Sequence, residues 1–100
     1  MRRCLIGDIM ALASAIAPAD AHKMQIEAAR LIAEADAAHR YAKRHGRPHG
    51  RWGNGSLMAR AMAEPVAQSP NFSCPQYLVA FKVVAAVLHD FRAHARGLGL

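Results

Sequence analysis

One hundred residues with thirteen Lys or Arg against seven Asp or Glu make a basic chain, formally +6 with histidine neutral, long enough for one domain and one core but not for two. A hydrophobic content of 53% that leans on alanine, with only three Phe, two Tyr and one Trp, describes a thin core of close-packed helices. It argues against a sheet protein, because Ala, Leu, Met, Arg, Lys, Gln and Glu fill most positions outside the loops. Cys4 and Cys74 show no Cys-x-x-Cys spacing; they read as reduced, half-buried thiols of a cytosolic protein and supply no metal ligand set.

The chain begins with Arg2 and Arg3 ahead of an apolar run, followed by the triplets Ala15-Ile16-Ala17 and Ala19-Asp20-Ala21, which together imitate a signal peptide. Asp8 interrupts that run, and the segment reads better as a first helix over about residues 8–17. Asp8 caps it, Ile9, Leu12, Ala13 and Ile16 recur at helical spacing, and Pro18 closes it. A second helix, about 20–45, starts at Asp20 and stops at Gly46. Met24, Ala28, Leu31, Ala35, Ala38 and Ala42 form its apolar stripe, widened by Ile32 and His39. Its other side pairs Lys23 with Glu27, Arg30 with Glu34 and Asp36 with Arg40, each pair contributing roughly 0.3–0.5 kcal/mol.

Ser56 caps a short third helix, about 56–64, whose expected buried side is Leu57, Met58, Ala61 and Met62. Pro65 ends it. The stretch to Pro75 is an extended connector with Phe72 as its expected anchor, and proline at 75 suits the first turn of a fourth helix, about 76–96. That helix is the most apolar. Leu78, Phe81, Val84, Ala85, Leu88 and Phe91 fall on one face and Val79, Val83 and Val87 broaden it, so it is expected at the centre of the bundle. Arg92, His94 and Arg96 give it a second, weaker basic end. The longest apolar stretch, Tyr77 to Leu88, is broken by Lys82 and is shorter than the ~20 residues that cross a bilayer. The expectation is therefore a single all-α domain over residues 1–100, with no membrane partner.

Charge is concentrated in one place. From His39 to Trp52 the chain reads HRYAKRHGRPHGRW, with Arg40, Lys43, Arg44, Arg47 and Arg51, three histidines, Tyr41, the one Trp and no acid. Part of this is ordinary, since cations suit the negative end of a helix dipole. Five cations without an interleaved acid nevertheless repel one another, which a scaffold alone has no reason to keep. Behind them, Gly53-Asn54-Gly55-Ser56 reads as a tight turn expected to present free backbone N–H groups at the start of the third helix, where phosphate or carboxylate is favoured. These residues, with Trp52 available to stack on a base or to pin the loop, make the candidate anion site and a nucleic-acid footprint.

Other chemistries find less support. His39, His45 and His49 lie close in sequence, but Gly46 and Pro48 break the helix between the last two, and no Cys or carboxylate stands at ligand spacing. His89 and His94 point to diverging faces. No Gly-Lys-Ser/Thr follows the glycines, so nucleotide hydrolysis is not expected, and no serine has a positioned base. Cys74 is either an exposed reactive thiol or a buried structural one. The reading is of a non-enzymatic protein without cofactor or metal. Its competitor is a protein-binding module or homodimer that uses surplus apolar surface on the first and fourth helices together with Met10, Met24, Met58 and Met62.

The run from Arg40 to Met58, RYAKRHGRPHGRWGNGSLM, resembles the central motif of a family of short uncharacterised alphaproteobacterial proteins, of Rhodobacterales type, that carry a domain of unknown function. That motif reads R-Y-x-x-R-x-G-R-x-H-P-x-W-G-N-G-S-L-M. Arg40, Tyr41, Arg44, Gly46, Arg47, His49, Trp52, Gly53, Asn54, Gly55, Ser56, Leu57 and Met58 match it, and Gly50 departs from the proline, which loosens that turn. The resemblance implies a bacterial, cytoplasmic setting and brings no activity with it. The combined expectation is that residues 39–56 engage DNA or RNA phosphate first and an acidic protein partner second.

Overall fold

The computed structural model describes the backbone of residues 2–98 and the side chains of residues 2–94. Four helices follow one another: α1 (Ile6–Ile16), α2 (Ala21–His45), α3 (Leu57–Met62) and α4 (Pro75–Leu98). No strand occurs among the described residues, and this is a small all-α domain; the one β-type pairing is an isolated antiparallel bridge between His49 and Gly53.

The first helix begins earlier than its cap residue suggested. Leu5, with extended φ −115° and ψ 170°, takes the N-cap position, and Asp8 sits one turn inside. The Asp8 carboxylate still serves the helix start, because its Oδ2 accepts the Leu5 N–H at 2.8 Å. Asp8 is also buried, which a surface cap would not be.

The bundle is organised around α1 and α2 rather than α4, which corrects the expectation from apolar content. α1 and α2 each pack against all three other helices, whereas α3 and α4 do not meet. Leu12, Ala13 and Ile16 of α1 and Ala17 at its end are fully enclosed together with Met24, Ala28, Leu31, Ile32 and Ala35 of α2. Small side chains explain the position: alanines on a short helix let three neighbours approach at once, and dense packing follows. The carbonyls of α1 then serve as anchor points. The Tyr77 hydroxyl donates to Met10 O at 3.0 Å, the Gln68 N–H donates to Ser14 O at 2.9 Å, and the Gln76 amide donates to Ala17 O.

That tyrosine bond also explains why α4 is turned from its expected orientation. Tyr77, Ala80, Val84 and Leu88 face the core, with Phe81, Val83, Val87 and Phe91 packed at its edge, while Leu78, Val79 and Ala85 lie on the exposed side. A buried Tyr needs a partner for its O–H, and Met10 O provides one. Phe72 stays half exposed but meets Tyr77 and Phe81 edge-on, each at 5.5 Å between ring centroids, so it does tie the connector to α4.

On α3 the buried side is Leu57, Arg60 and Ala61; Met58 and Met62 are exposed, contrary to expectation. Arg60 goes inward because carboxylates wait for it. Its guanidinium lies 2.8 Å from Glu34 on α2 and 3.0 Å from Glu64 just beyond α3, with the side chain only 7% exposed. Arg30 joins the same cluster through Glu27, Glu34 and Glu64. Its pKa is raised, mainly by the hydrogen bond with Glu27. Glu27 thus turns to Arg30, and no ion pair joins it to Lys23 among the described residues. This network clamps α3 to α2.

Candidate nucleic-acid interface

The basic end is built from the last turns of α2 and the hairpin that follows. Gly46 ends the helix in the left-handed conformation, φ 69°, with its N–H returned to Ala42 O at 2.8 Å. Three residues later the chain folds on itself. The His49 N–H donates to Gly53 O at 2.9 Å and the Gly53 N–H donates to His49 O at 3.1 Å. This single bridge closes the segment after α2 into a hairpin without forming a strand.

His49 holds the inside of that hairpin. Its Nδ1 accepts the N–H groups of Arg51 at 3.1 Å and Trp52 at 3.0 Å, which ties the imidazole to the turn. The imidazole also stacks on the Trp52 indole, centroids 4.7 Å apart and 16° between planes, and meets Tyr41 edge-on at 5.0 Å. Tyr41 in turn lies 4.3 Å from His45. Trp52 is half-buried and anchors the loop, with one ring face covered by His49.

The turn from Gly53 to Ser56 is likewise explained by contacts. At Gly55, φ 99°, an added Cβ would fall 2.5 Å from the Cα of His39, so only glycine lets this strand of chain lie against α2. Asn54 Oδ1 accepts the Ser56 N–H at 3.0 Å, and Ser56 Oγ accepts the Ala59 N–H at 3.0 Å as the cap of α3. The Met58 N–H donates to Asp8 Oδ1 at 3.0 Å. The free donors expected at the start of α3 are thus largely occupied. The anion at this terminus is the chain's own Asp8, bridging the N-termini of α1 and α3.

The cations fare differently. Lys43, Arg44, Arg47 and Arg51 are exposed, and among the described residues none of them has an ion-pair partner. Arg40 pairs with Asp36 at 3.5 Å while remaining 72% exposed. An open concavity of about 630 Å³ on the last turns of α2 is lined by Ala37, Arg40, Tyr41, Lys43, Arg44 and His45. Next to it, burial pushes the His39 imidazole below its ordinary pKa, and the charges of Lys43 and Arg2 act in the same direction against Asp36. Elsewhere, the half-buried Cys74 thiol is lowered mainly by the N–H of Tyr77 and by the Gln68 amide, and it stands free, as does Cys4. Among the described residues, no three His, Cys, Asp or Glu side chains converge as metal ligands.

Three features were missed in the sequence. Asp8 reaches across to α3, Arg60 enters the interior, and the Arg2 guanidinium donates to Asn54 O at 3.1 Å, bringing the N-terminal arm to the hairpin. Only Arg60 left a local signal, its spacing of four from Glu64. Geometrically, the molecule is a four-helix domain whose cationic end is closed by a histidine-centred hairpin. Residues 2–88 match the family model described as "Domain of unknown function (DUF7742)", and the chain belongs to that family. No curated protein and no solved structure matches it.

Proposed function

We propose that this protein is a non-enzymatic binding protein that engages nucleic-acid phosphate through residues 39–56, in the cytoplasmic setting that the motif resemblance implies. The observation that supports this most is that Lys43, Arg44, Arg47 and Arg51 have no ion-pair partner among the described residues, while Glu27, Glu34 and Glu64 are committed to Arg30 and Arg60. Unpaired exposed cations release counterions when they meet phosphate, and this drives association without sequence reading. Arg40 adds charge at the border with Asp36, and the hairpin closed between His49 and Gly53 carries Arg51 just beyond the end of α2. The backbone donors of Gly53 and Ser56 are occupied by His49 O and Asn54 Oδ1, so these two residues shape the site, while Asn54 and Gly55 complete the turn. Trp52 fixes the hairpin through its stack on His49.

The test is fluorescence anisotropy of labelled duplex DNA, single-stranded DNA and RNA at several salt concentrations, with an Arg47→Ala/Arg51→Ala variant. Binding at micromolar concentration or tighter, weakening with salt and lost in the variant, supports the reading. No binding at low salt removes it. A second reading, a protein-binding module or homodimer, is favoured by exposed apolar side chains at Leu5, Ile6, Met62, Phe72, Leu78 and Val79. Met24 is fully buried and contributes nothing to such a surface. Light scattering at rising protein concentration distinguishes it, since a homodimer doubles the mass without nucleic acid.

A further inference from the structure

In the sequence the chain has two separate basic ends, one at residues 39–51 and a weaker one at Arg92 and His94; the side chain of Arg96 lies outside the described residues. The fold brings the first of these to the second. Arg2 is the link: its guanidinium donates to Asn54 O at 3.1 Å at the end of the hairpin, and its own carbonyl accepts from Arg92 Nη2 at 3.1 Å on α4. Arg92 Nη2 also lies 3.6 Å from Cys4 Sγ, so the arm of residues 2–4 is laid across the top of α4. Arg3 and Arg92 then share the lining of an open groove with Cys4, Leu5, Ile6, Ile9 and Leu88, and no carboxylate lines it.

We infer that the phosphate-binding face continues beyond the hairpin along this arm, with Arg3 and Arg92 as further contact residues and Arg2 as the positioning residue that joins the two halves. The inference rests on the nucleic-acid reading above. Arg3 and Arg92 are exposed. Among the described residues Arg3 has no hydrogen bond or ion pair, and Arg92 uses only Nη2, leaving Nε and Nη1 for a ligand. Cations set on α2, the hairpin, the N-terminal arm and α4 make a broad surface rather than a narrow channel. With one face of Trp52 covered by His49, such a surface suits the phosphate backbone of a duplex better than a train of unstacked bases.

The experiment is a salt titration of wild-type protein, Arg3→Ala/Arg92→Ala and Arg3→Lys/Arg92→Lys on labelled duplex DNA, with helical content checked by circular dichroism. Loss of two phosphate contacts lowers the slope of log K against log salt by about 1.8. The lysine variant, which keeps the charge, retains the wild-type slope. An alanine variant that folds and keeps the full slope overturns the inference while leaving the hairpin reading intact. A lysine variant that loses as much as the alanine one also overturns it, because the arginines would then act only by holding the arm. Wild-type protein that binds single-stranded DNA or RNA but not duplex DNA overturns this inference alone, whereas no binding to any of the three removes the underlying reading as well.

Discussion

Two clusters of charge in this small domain are built to opposite rules. Around Arg60 and Arg30, cations meet Glu27, Glu34 and Glu64 at hydrogen-bonding distances, and Arg60 is almost wholly enclosed. Around the hairpin, Lys43, Arg44, Arg47 and Arg51 point to solvent, and Asp36 on Arg40 is the nearest acid in an ion pair. The same residue types are structural in one place and available in the other. What separates them is the partner supplied by the fold. The acids of α2 lie in its first turns and middle, beside α3, so they are used before the chain reaches its basic end.

The comparison breaks most visibly at Arg60. Replacing it with alanine leaves the half-buried Glu34 and Glu64 with only Arg30 for compensation, and loss of two charge-assisted hydrogen bonds costs about 3 kcal/mol. Denaturant unfolding of Arg60→Ala is expected to show that loss, while Arg47→Ala/Arg51→Ala stays within about 0.5 kcal/mol of wild type, as exposed unpaired positions do. Asp8 tests the third electrostatic element, the internal anion between α1 and α3. Asp8→Ala removes two charge-assisted backbone hydrogen bonds and is expected to cost about 2–3 kcal/mol by the same measurement.

A smaller effect is expected from pH at the joint between α2 and the hairpin. The folded pKa of His39 is lowered by burial and by nearby cations, so the unfolded chain takes up the proton first. Its contribution to stability is complete above the unfolded value of about 6.5 and is lost as pH falls through the lowered folded value. His39→Gln is expected to flatten that part of the stability profile between pH 7 and pH 5. An unchanged profile would place the titrating group elsewhere.

Legibility in the sequence followed length and periodicity. On α2, a 25-residue amphipathic helix, Met24, Ala28, Leu31, Ile32, Ala35 and Ala38 of the expected stripe are buried as their spacing indicated, while His39 and Ala42 at its end are half-buried. On α4, valines and leucines surround the helix and leave no clean period, and the polar hydroxyl of Tyr77 disguised the largest enclosed side chain of that helix. On α3, six residues are too few for a face to be read. The basic segment was visible as composition. The occupation of its backbone donors was not, because Asp8 and Met58 stand 50 residues apart in the chain. The glycines at 53 and 55 were recognisable as a turn, but the approach of Gly55 to the His39 backbone needs the third dimension.

The central claim is that position, not total charge, decides which cations bind. Arg51→Ala and Arg30→Ala each remove one positive charge, the first from the unpaired end and the second from the paired cluster. The most direct measurement is the slope of log K against log salt for both variants and wild type on one duplex DNA. The account predicts that Arg51→Ala lowers the slope by about 0.9 and Arg30→Ala leaves it unchanged. Equal losses in the two variants, or a wild-type affinity indifferent to salt, would contradict it.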